Sequence, residues 1–374
     1  MPEADDGFLP IGDRVRIGVA GCGLIAQLVH LPLLDAMEER FELVGLADPS
    51  RAVRERLAAR YRVPTAVADH RALLDSGLDA LVVCAPNPAH ARMVLDGIDA
   101  GAHVLVEKPL CLSLADAAEI ARRAESAGVV VQVGYMKRYS TAFRALARQL
   151  RAAAPMLRLV STVTVDPGLA RDFLPVGFVA PLDVSAAARD GLAAEAAAQA
   201  SAALGSDDPE HVAAFSDAFL GALVHDVNAV HGLIGPSGRV VDAFSAPGGA
   251  LAGGSVELAH GGRWTMAWML SEGAGAFSEE LRLIGDGGSW ALSFPAPYLR
   301  QAPIVASVER RTGSGAWTGR SDASYSDPYA RQLEHFHDCV VHQVRCETPP
   351  AQAAMDIELL TRLCCAAYGL GVPA

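Results

Sequence analysis

The chain has 374 residues, which is longer than one hydrophobic core usually spans, so two domains are predicted. Hydrophobic residues make up 51% and charged residues 20%, a composition typical of globular rather than disordered proteins. The net charge of -12, without any Lys/Arg cluster, argues against a nucleic-acid partner. The N terminus is acidic and no apolar run approaches the ~20 residues of a membrane helix, so we expect a cytoplasmic protein with no membrane partner.

The first informative motif is a glycine-rich turn between a predicted strand and a predicted helix. The apolar run 15–20 is followed by Gly21-Cys22-Gly23-Leu24-Ile25-Ala26. Gly21 permits a tight turn, Gly23 lets the backbone approach a pyrophosphate, and Ala26 lets the helix pack on its strand. Because a helix N terminus favours phosphate charge, residues 21–25 are predicted to bind a dinucleotide.

An acidic residue follows the second predicted strand, 41–47. A carboxylate at Asp48 would pair with the 2′-hydroxyl of NAD and repel the 2′-phosphate of NADP. Ser50 and Arg51 come next, and an arginine in this loop can accept that phosphate. The sequence therefore favours NAD as the cofactor, with NADP as the alternative.

Short apolar runs alternate with helical stretches as far as residue 133. Strands are predicted at 15–20, 41–47, 79–84, 102–106 and 129–133. Helices are predicted at 24–38, 50–60, 69–75, 88–100 and 113–127. This alternation is typical of an α/β fold with a parallel, doubly wound sheet.

Three further motifs each follow a predicted strand of this sheet, and together they resemble the motifs of a known family. The motifs are Ala85-Pro86-Asn87-Pro88 with His90, Glu107-Lys108-Pro109, and Gly134-Tyr135-Met136-Lys137-Arg138-Tyr139. Together with the glycine turn, they resemble the Gfo/Idh/MocA family of oxidoreductases, densely over the first 140 residues. The resemblance implies an N-terminal Rossmann domain (1–136) and a C-terminal α+β domain (137–374) with a large open, mainly antiparallel sheet. It also implies a cis Lys108–Pro109 bond and a cofactor contacted by Ala85, Pro86, Asn87, His90, Glu107, Lys108 and Pro109.

The second half of the chain is less regular. Predicted in order are a helix from 137 to 151, a strand at 158–165, an insertion at 166–206 with an Ala-rich helix at 185–204, and a helix from 208 to 235. A strand at 256–259, a turn at 260–262, a strand at 263–270 and a C-terminal helix at 351–370, packed near the first domain, complete the pattern. The Ala-rich helix is interpreted as a lid, a dimer arm or a plain surface helix.

Both faces of the predicted strand 263–270 are largely apolar. Trp264, Met266 and Trp268 alternate with Thr265 and Ala267 along it. A sheet with one wet side would alternate apolar and polar residues. A homodimer or homotetramer joined through the C-terminal sheet is therefore predicted, as the resemblance also implies.

Lys108 is the first candidate catalytic residue. It ends a predicted strand, and strand carboxyl ends face the ligand crevice of an open parallel sheet. Burial near a positively charged nicotinamide would lower the pKa of the lysine, which suits it to proton transfer.

The second candidate is His225, with Asn228 as a group that orients the substrate. Members of the resembled family carry Asp-x-x-x-His-x-x-Asp on a helix. Counting back from Gly235 places His225 on the histidine of this pattern, Asn228 on its last acid and Gly221 on its first Asp. In a regular helix residues 221, 225, 228 and 232 share one face. Their small and polar side chains would allow either a bound non-protein group or another part of the protein to pack closely against this face. Asp226 would be turned about a quarter of the helix away. Tyr135, Lys137 and Arg138 are further candidates for substrate binding.

Cysteine and histidine positions do not predict a metal site. Seven cysteines lack metal-type spacing and are expected to be reduced, several of them as buried hydrophobes. His335, His337 and His342 are interpreted as a solvated helix face, because no His-Glu-x-x-His is present.

The predicted function is an NAD(P)-dependent dehydrogenase or reductase. The resemblance implies a sugar, glycoside or cyclitol as the polyhydroxylated substrate, with Lys108 and His225 in proton transfer. Reduction of an imine or a non-sugar carbonyl is one alternative, which the missing first Asp favours. A non-catalytic nucleotide or sugar sensor is another, against which the presence of both Lys108 and His225 argues.

Overall fold

The computed structural model describes residues 13–168, 173–236, 238–258, 261–312, 315–320 and 325–372. The acidic N terminus, residues 169–172 of the predicted insertion, and residues 259–260, where the predicted strand 256–259 ends and the predicted turn begins, lie outside these ranges. Within the described ranges, no helix combines the length and the apolar character needed to cross a bilayer.

The first sheet has six parallel strands in the order β3-β2-β1-β4-β5-β6. The strands are β1 Val15–Ala20, β2 Phe41–Ala47, β3 Thr65–Val67, β4 Ala80–Val83, β5 His103–Val106 and β6 Val131–Val133. The order reverses between β1 and β4, which is the point where such sheets bind ligands. The predicted doubly wound sheet is confirmed, and β3 was missed because three residues are too short to show a period.

Helices connect these strands. They are α1 Leu31–Ala36, α2 Arg51–Tyr61, α3 His70–Leu74, α4 His90–Asp99 and α5 Leu114–Ala127. The predicted helix 24–38 is in fact a π-helical turn, Ala26–His30, that continues into α1. The Ser50 hydroxyl caps α2 by accepting from the Val53 amide at 3.1 Å, so this helix begins one residue after its cap.

The second sheet has eight strands in the order β14-β13-β12-β11-β7-β10-β9-β8. The strands are β7 Leu157–Asp166, β8 Val240–Ser245, β9 Leu251–Glu257, β10 Arg263–Leu270, β11 Ser278–Gly285, β12 Gly288–Phe294, β13 Val305–Thr312 and β14 Gly315–Arg320. Only the β7–β10 pair is parallel, which confirms the mainly antiparallel sheet. The start of β9 was missed because Gly253 and Gly254 interrupt its apolar pattern. A Cβ on Gly254 would lie 2.5 Å from the Asp242 carbonyl oxygen, so the close strand pairing requires glycine there.

The second half of the chain also forms helices, several of which pack against the second sheet. They are α6 Thr141–Ala153, α7 Ala186–Leu204, α8 Pro209–Ala213, α9 Val224–Ile234, α10 Pro328–His342 and α11 Pro350–Ala367. A ten-residue π-helix, Ala214–Leu223, joins α8 to α9 in one continuous rod. The wider turn applies to residues 214–223, whereas residues 224–234 follow a regular α-helix.

The Ala-rich helix α7 is mostly exposed, with only Ala200 and Leu204 fully buried. Its Gln199 amide donates to the Pro88 carbonyl at 3.1 Å, so it lies against the turn that follows β4. The residues before it, 173–184, cross the edge of the first sheet, and we call this segment the strap.

The C-terminal helix α11 packs against α5, the helix between β5 and β6 of the first sheet, and against strand β8 of the second sheet. Ile357, Leu360 and Leu363 on its buried side are fully enclosed. The helix therefore ties the two halves of the chain together through apolar burial.

We expect Ile357→Ala to lower the free energy of unfolding by about 2–5 kcal/mol, because a fully buried side chain would leave a cavity. Chemical denaturation measures this change. Glu358→Ala, at an exposed position on the same helix, is the control and should shift stability by no more than about 0.5 kcal/mol. Equal effects of the two variants would show that α11 does not hold the halves together.

Candidate active site

A cavity of about 470 Å³ lies between the carboxyl edge of the first sheet and the inner face of the second. Of the predicted site residues, it is lined by Ile25, Ala85, Asn87, His90, Glu107, Lys108, Lys137 and His225. The structure therefore brings together residues of five separate motifs.

The glycine turn has the shape that a dinucleotide phosphate needs. Gly21 has a φ of 85°, and a Cβ there would lie 2.4 Å from the Ala85 amide nitrogen, so only glycine fits. Gly23 is exposed, and no atom lies within 4 Å of the place where its Cβ would be. The space above Gly23 thus leaves the backbone open to a ligand.

Asp48 ties the end of β2 to this turn. One carboxylate oxygen accepts from the Cys22 amide and the other from the Ser50 amide, each at 2.8 Å. Burial raises the pKa of Asp48, while these two amides and Arg54 oppose the rise. The remaining lone pairs of the carboxylate are free to accept from a ribose.

The other two predicted contacts in this loop differ in their surroundings. Ser50 is fully buried, and its hydroxyl donates to Asp183 of the strap. Arg51 is exposed and pairs with Glu55 at 2.6 Å. Asp183 was missed because it lies 133 residues from Ser50 in the chain.

His90 and Glu107 hold the turns around the cavity. The two ring nitrogens of His90 lie 2.7 Å from the carbonyl oxygens of Ala85 and Pro109. Burial lowers the pKa of His90, and the neutral ring donates to one of these carbonyls at a time. The buried His30 is 2.7 Å from Glu107 and orients its carboxylate.

Lys108 reaches across the cavity from the end of β5. Its ammonium donates to the Gly221 carbonyl at 2.6 Å. Burial lowers the pKa of Lys108 to about 8, with Lys137 acting in the same direction and Glu107 opposing it. The Lys108–Pro109 bond is cis, as the resemblance implied.

Gly221 stands where the resembled pattern has its first Asp, and it offers only its main-chain carbonyl. It lies in the π-helix, where a Cβ would be 3.0 Å from the Ser216 carbonyl oxygen. A side chain there would need the Ser216 carbonyl to move by a few tenths of an ångström. Lys108 therefore meets a neutral acceptor at this position.

His225 and Asp226 both line the cavity, although a regular helix would turn Asp226 away. Asp226 faces the second sheet, where the Thr164 hydroxyl on β7 lies 3.3 Å from its carboxylate. Because that sheet forms a wall of the cavity, both sides of the helix are used. The pKa of His225 is well below its usual value because of burial and the nearby Lys108 and Lys137.

A buried ion pair between Lys137 and Glu279 forms the wall next to Asp226. Burial and the negative charge of Glu279 raise the pKa of Asp226 to about 8. Glu279 was missed, yet β11 carried a signal for it. It shares the inward face of the strand with Leu281 and Leu283, so an acid alternates with core residues.

Asn228 does not line the cavity, contrary to the prediction that it orients the substrate. Its amide donates to Asp356 of α11 at 2.7 Å, and the His231 ring lies 2.6 Å from the other oxygen of that carboxylate. Gly232 packs against the Arg138 guanidinium. Of the predicted stripe, Gly221 and His225 therefore line the cavity, whereas Asn228 and Gly232 contact other parts of the protein.

Tyr135 and Arg138 are also placed away from the cavity. Tyr135 is 2% exposed and lies near Asp356, while Arg138 stacks over Phe143. Of the three candidates that follow β6, only Lys137 lines the cavity, because the short 3₁₀-helix Met136–Tyr139 turns its side chains in different directions.

His335 and His337 of α10 are buried, which corrects the predicted solvated face for these two residues, whereas His342 is exposed. His335 Nε2 accepts from the Glu347 amide at 3.1 Å and lies 3.3 Å from the Cys339 sulfur. His337 lies 2.7 Å from the Asp13 carbonyl oxygen. His337 therefore binds the helix to the first half of the chain, and His335 binds it to the segment that follows the helix.

Comparison with known proteins supports the motifs directly. Residues 15–135 match the model of the family described as "Oxidoreductase family, NAD-binding Rossmann fold", Gfo/Idh/MocA. Residues 15–135 belong to the Gfo/Idh/MocA family. The match confirms the predicted family, its Rossmann fold and a nicotinamide dinucleotide as the class of cofactor.

Curated relatives match over the same part of the chain. The inositol 2-dehydrogenase of Acidothermus cellulolyticus is 34% identical over 144 residues, which are 37% of this chain and 41% of that protein. The scyllo-inositol 2-dehydrogenase (NAD(+)) of Bacillus subtilis is 29% identical over 140 residues, with the same coverage of 37% and 41%. The matched segment thus spans less than half the length of these relatives.

Solved structures extend the likeness of fold to nearly the whole chain. The UDP-N-acetylglucosamine 3-dehydrogenase of Acidithiobacillus ferrooxidans has a TM-score of 0.72 at 17% identity and covers 95% of this chain and 98% of its own. The 3-ketoreductase of Actinomadura kijaniata, solved with NADP and TDP-benzene, has a TM-score of 0.70 at 19% identity, with coverage of 93% and 96%. At these identities the likeness shows the shared fold.

Two glycine variants separate the roles of the turn. Gly21→Ala should destabilise the protein by about 1–3 kcal/mol, because it forces a positive φ and a backbone clash. Gly23→Ala should leave the melting temperature nearly unchanged and weaken nucleotide binding by about tenfold or more, because a methyl group would fill the open approach. Thermal melts and titration calorimetry measure the two effects. Unchanged nucleotide affinity in Gly23→Ala would place the phosphate elsewhere.

Proposed function

We propose that this protein is an NAD(P)-dependent oxidoreductase that interconverts a secondary alcohol and a ketone on a sugar, glycoside or cyclitol. The observation that carries the proposal is the placement of Lys108. Its amine lies in the cavity beside the glycine turn, has a pKa lowered to about 8, and is held by a neutral carbonyl. The residues around it fit a nicotinamide cofactor, since Gly21, Gly23 and Asp48 form an open turn with an acidic ribose partner.

When bound, the cofactor would supply the hydride acceptor or donor. Residues 21–25 and Asp48 would hold its phosphates and ribose, while Asn87, Glu107 and Lys108 line the cavity next to that turn. In the oxidative direction, the neutral Lys108 amine accepts the proton of the substrate hydroxyl. In the reductive direction, the ammonium returns it to the carbonyl oxygen.

The other polar groups of the cavity position the substrate. His225 is neutral at pH 7 because its pKa is strongly lowered, so it serves as a hydrogen-bond partner or alternate proton acceptor rather than as a cation. Lys137, Glu279 and Asp226 form a wall that both donates and accepts hydrogen bonds. Such a wall suits a ring with several hydroxyl groups.

An imine or a non-sugar carbonyl is the second candidate substrate class, favoured by Gly221 in place of an acid. The adjacent carboxyl groups of Glu279 and Asp226 in the cavity are a specific observation in its favour, because their oxygens can accept from an amino group. A substrate panel that includes imines and amino sugars distinguishes the two classes by turnover.

The predicted homo-oligomer remains part of this proposal. Val163, Phe244 and Val241 are 39–50% exposed on the outer face of the second sheet. We propose that a second copy covers this face, since a contiguous exposed apolar surface is typical of an interface.

Replacing Lys108 tests the proton-transfer role. Lys108→Met should lower kcat by about 10²–10⁴-fold while nucleotide affinity changes less than about threefold, since the amine acts on the substrate. Steady-state kinetics and calorimetry measure the two quantities. Lys108→Arg is the control, because it keeps the charge but does not accept a proton at neutral pH, and substantial activity in this variant would contradict the role as a base.

The pH dependence of oxidation should follow the lysine. With a pKa of about 8, the amine is mostly protonated and inactive as a base below that pH, and mostly neutral above it. The value of kcat/KM for alcohol oxidation should therefore rise with pH and level off above about 8. Asp226→Asn checks the assignment, because the pKa of Asp226 is raised to a similar value. Loss of the rise in that variant would assign it to Asp226.

A further inference from the structure

The strap is held across the edge of the first sheet by two sets of hydrogen bonds. In the first set, the Gln27 side chain pairs with the backbone of Val179. Its amide donates to the Val179 carbonyl at 3.0 Å, and its oxygen accepts from the Val179 amide at 2.9 Å. Val179 is 7% exposed and packs into the core beside β1. The strap is therefore a built part of the fold at this edge.

In the second set, Asp183 binds the first turn of α2. One carboxylate oxygen accepts from the Ser50 hydroxyl, and the other accepts from the Ala52 amide at 3.0 Å. These bonds hold the pKa of Asp183 below its usual value, so it is ionised at neutral pH. An anion at this place is also stabilised by the dipole of the eleven-residue helix.

This turn directly follows the predicted ribose partner. Ser50 binds both carboxylates, because its amide donates to Asp48 and its hydroxyl donates to Asp183. In Rossmann domains, the loop after the second strand distinguishes a ribose hydroxyl from a ribose phosphate. Asp183 therefore adds a second, fixed negative charge to that loop.

The remaining groups of the loop would suit a phosphate. The Ser50 hydroxyl and the Ala52 amide are the kinds of donors that phosphates use, and the Arg51 side chain is 74% exposed beside them. Asp183 already occupies the first two donors. A 2′-phosphate would have to compete with this carboxylate and would be repelled by it.

We propose that Asp183, contributed by the strap of the second half of the chain, is a specificity-determining residue that excludes NADP in favour of NAD. The inference rests on the proposed function, since it presupposes that the glycine turn binds a nicotinamide dinucleotide. NAD carries a hydroxyl at this position, which neither displaces Asp183 nor meets repulsion from it. The choice of cofactor then depends on the insertion as well as on Asp48.

The test is the affinity of the full chain for oxidised and reduced NAD and NADP, measured by titration calorimetry without turnover. In Asp183→Asn, the dissociation constant for NADP should fall by about tenfold or more, while that for NAD should change less than about threefold. Asp190→Asn is the matched control, because it removes the same charge from an exposed position on α7 and should change neither constant.

Melting temperatures of both variants establish that the fold is kept. Should Asp183→Asn unfold, Asp183→Ser removes the charge with a smaller side chain and is measured in the same way. The same increase in NADP affinity is expected, because the negative charge is removed in either case.

An unchanged ratio of NADP to NAD affinity in these variants would overturn the proposal and leave Asp183 as a helix cap. Tighter binding of NADP than of NAD by the unaltered protein would also overturn it. Binding of neither nucleotide by the unaltered protein would refute the proposed function itself, and the inference with it. The first two results leave nucleotide binding intact, so the failures are distinguishable.

Discussion

The hydrogen bond from Lys108 to the Gly221 carbonyl is the interaction on which the site depends. It joins the turn after β5 to the π-helix before α9, and so links the first sheet to the helix on the other side of the cavity. A buried ammonium needs an acceptor, and a carbonyl satisfies it without neutralising it. Burial can therefore lower the pKa of Lys108 to about 8. A carboxylate at Gly221 would instead favour the charged form and raise that pKa, so the glycine is compatible with a lysine base.

Charge balance explains how the opposite wall of the cavity tolerates three buried ionisable groups. Lys137 pairs with Glu279, which leaves Asp226 next to an ion pair of no net charge. Burial and the carboxylate of Glu279 raise the pKa of Asp226 to about 8, so at pH 7 it is mostly protonated and neutral. The wall is thus polar without a large net charge, and it offers both donors and acceptors to a ligand.

A polar helix face by itself does not identify a site, as the rod formed by the π-helix and α9 shows. His225 faces the cavity, whereas Asn228 and His231 share the buried carboxylate of Asp356. In the first arrangement the polar side chain faces space for a ligand, and in the second the side chains bind protein. The difference lies in which element packs opposite each turn of the helix, the second sheet or α11.

The sequence alone determined the family, the parallel sheet and the placement of Lys108 and the glycine turn, because these depend on local patterns and on motifs at strand ends. The positions of Gly21 and Asp48 follow from residues adjacent in the chain. Tertiary structure alone decided the roles of Glu279, Asp183 and Asn228. Their partners lie 142, 133 and 128 residues away, and no local pattern encodes contacts at such separations.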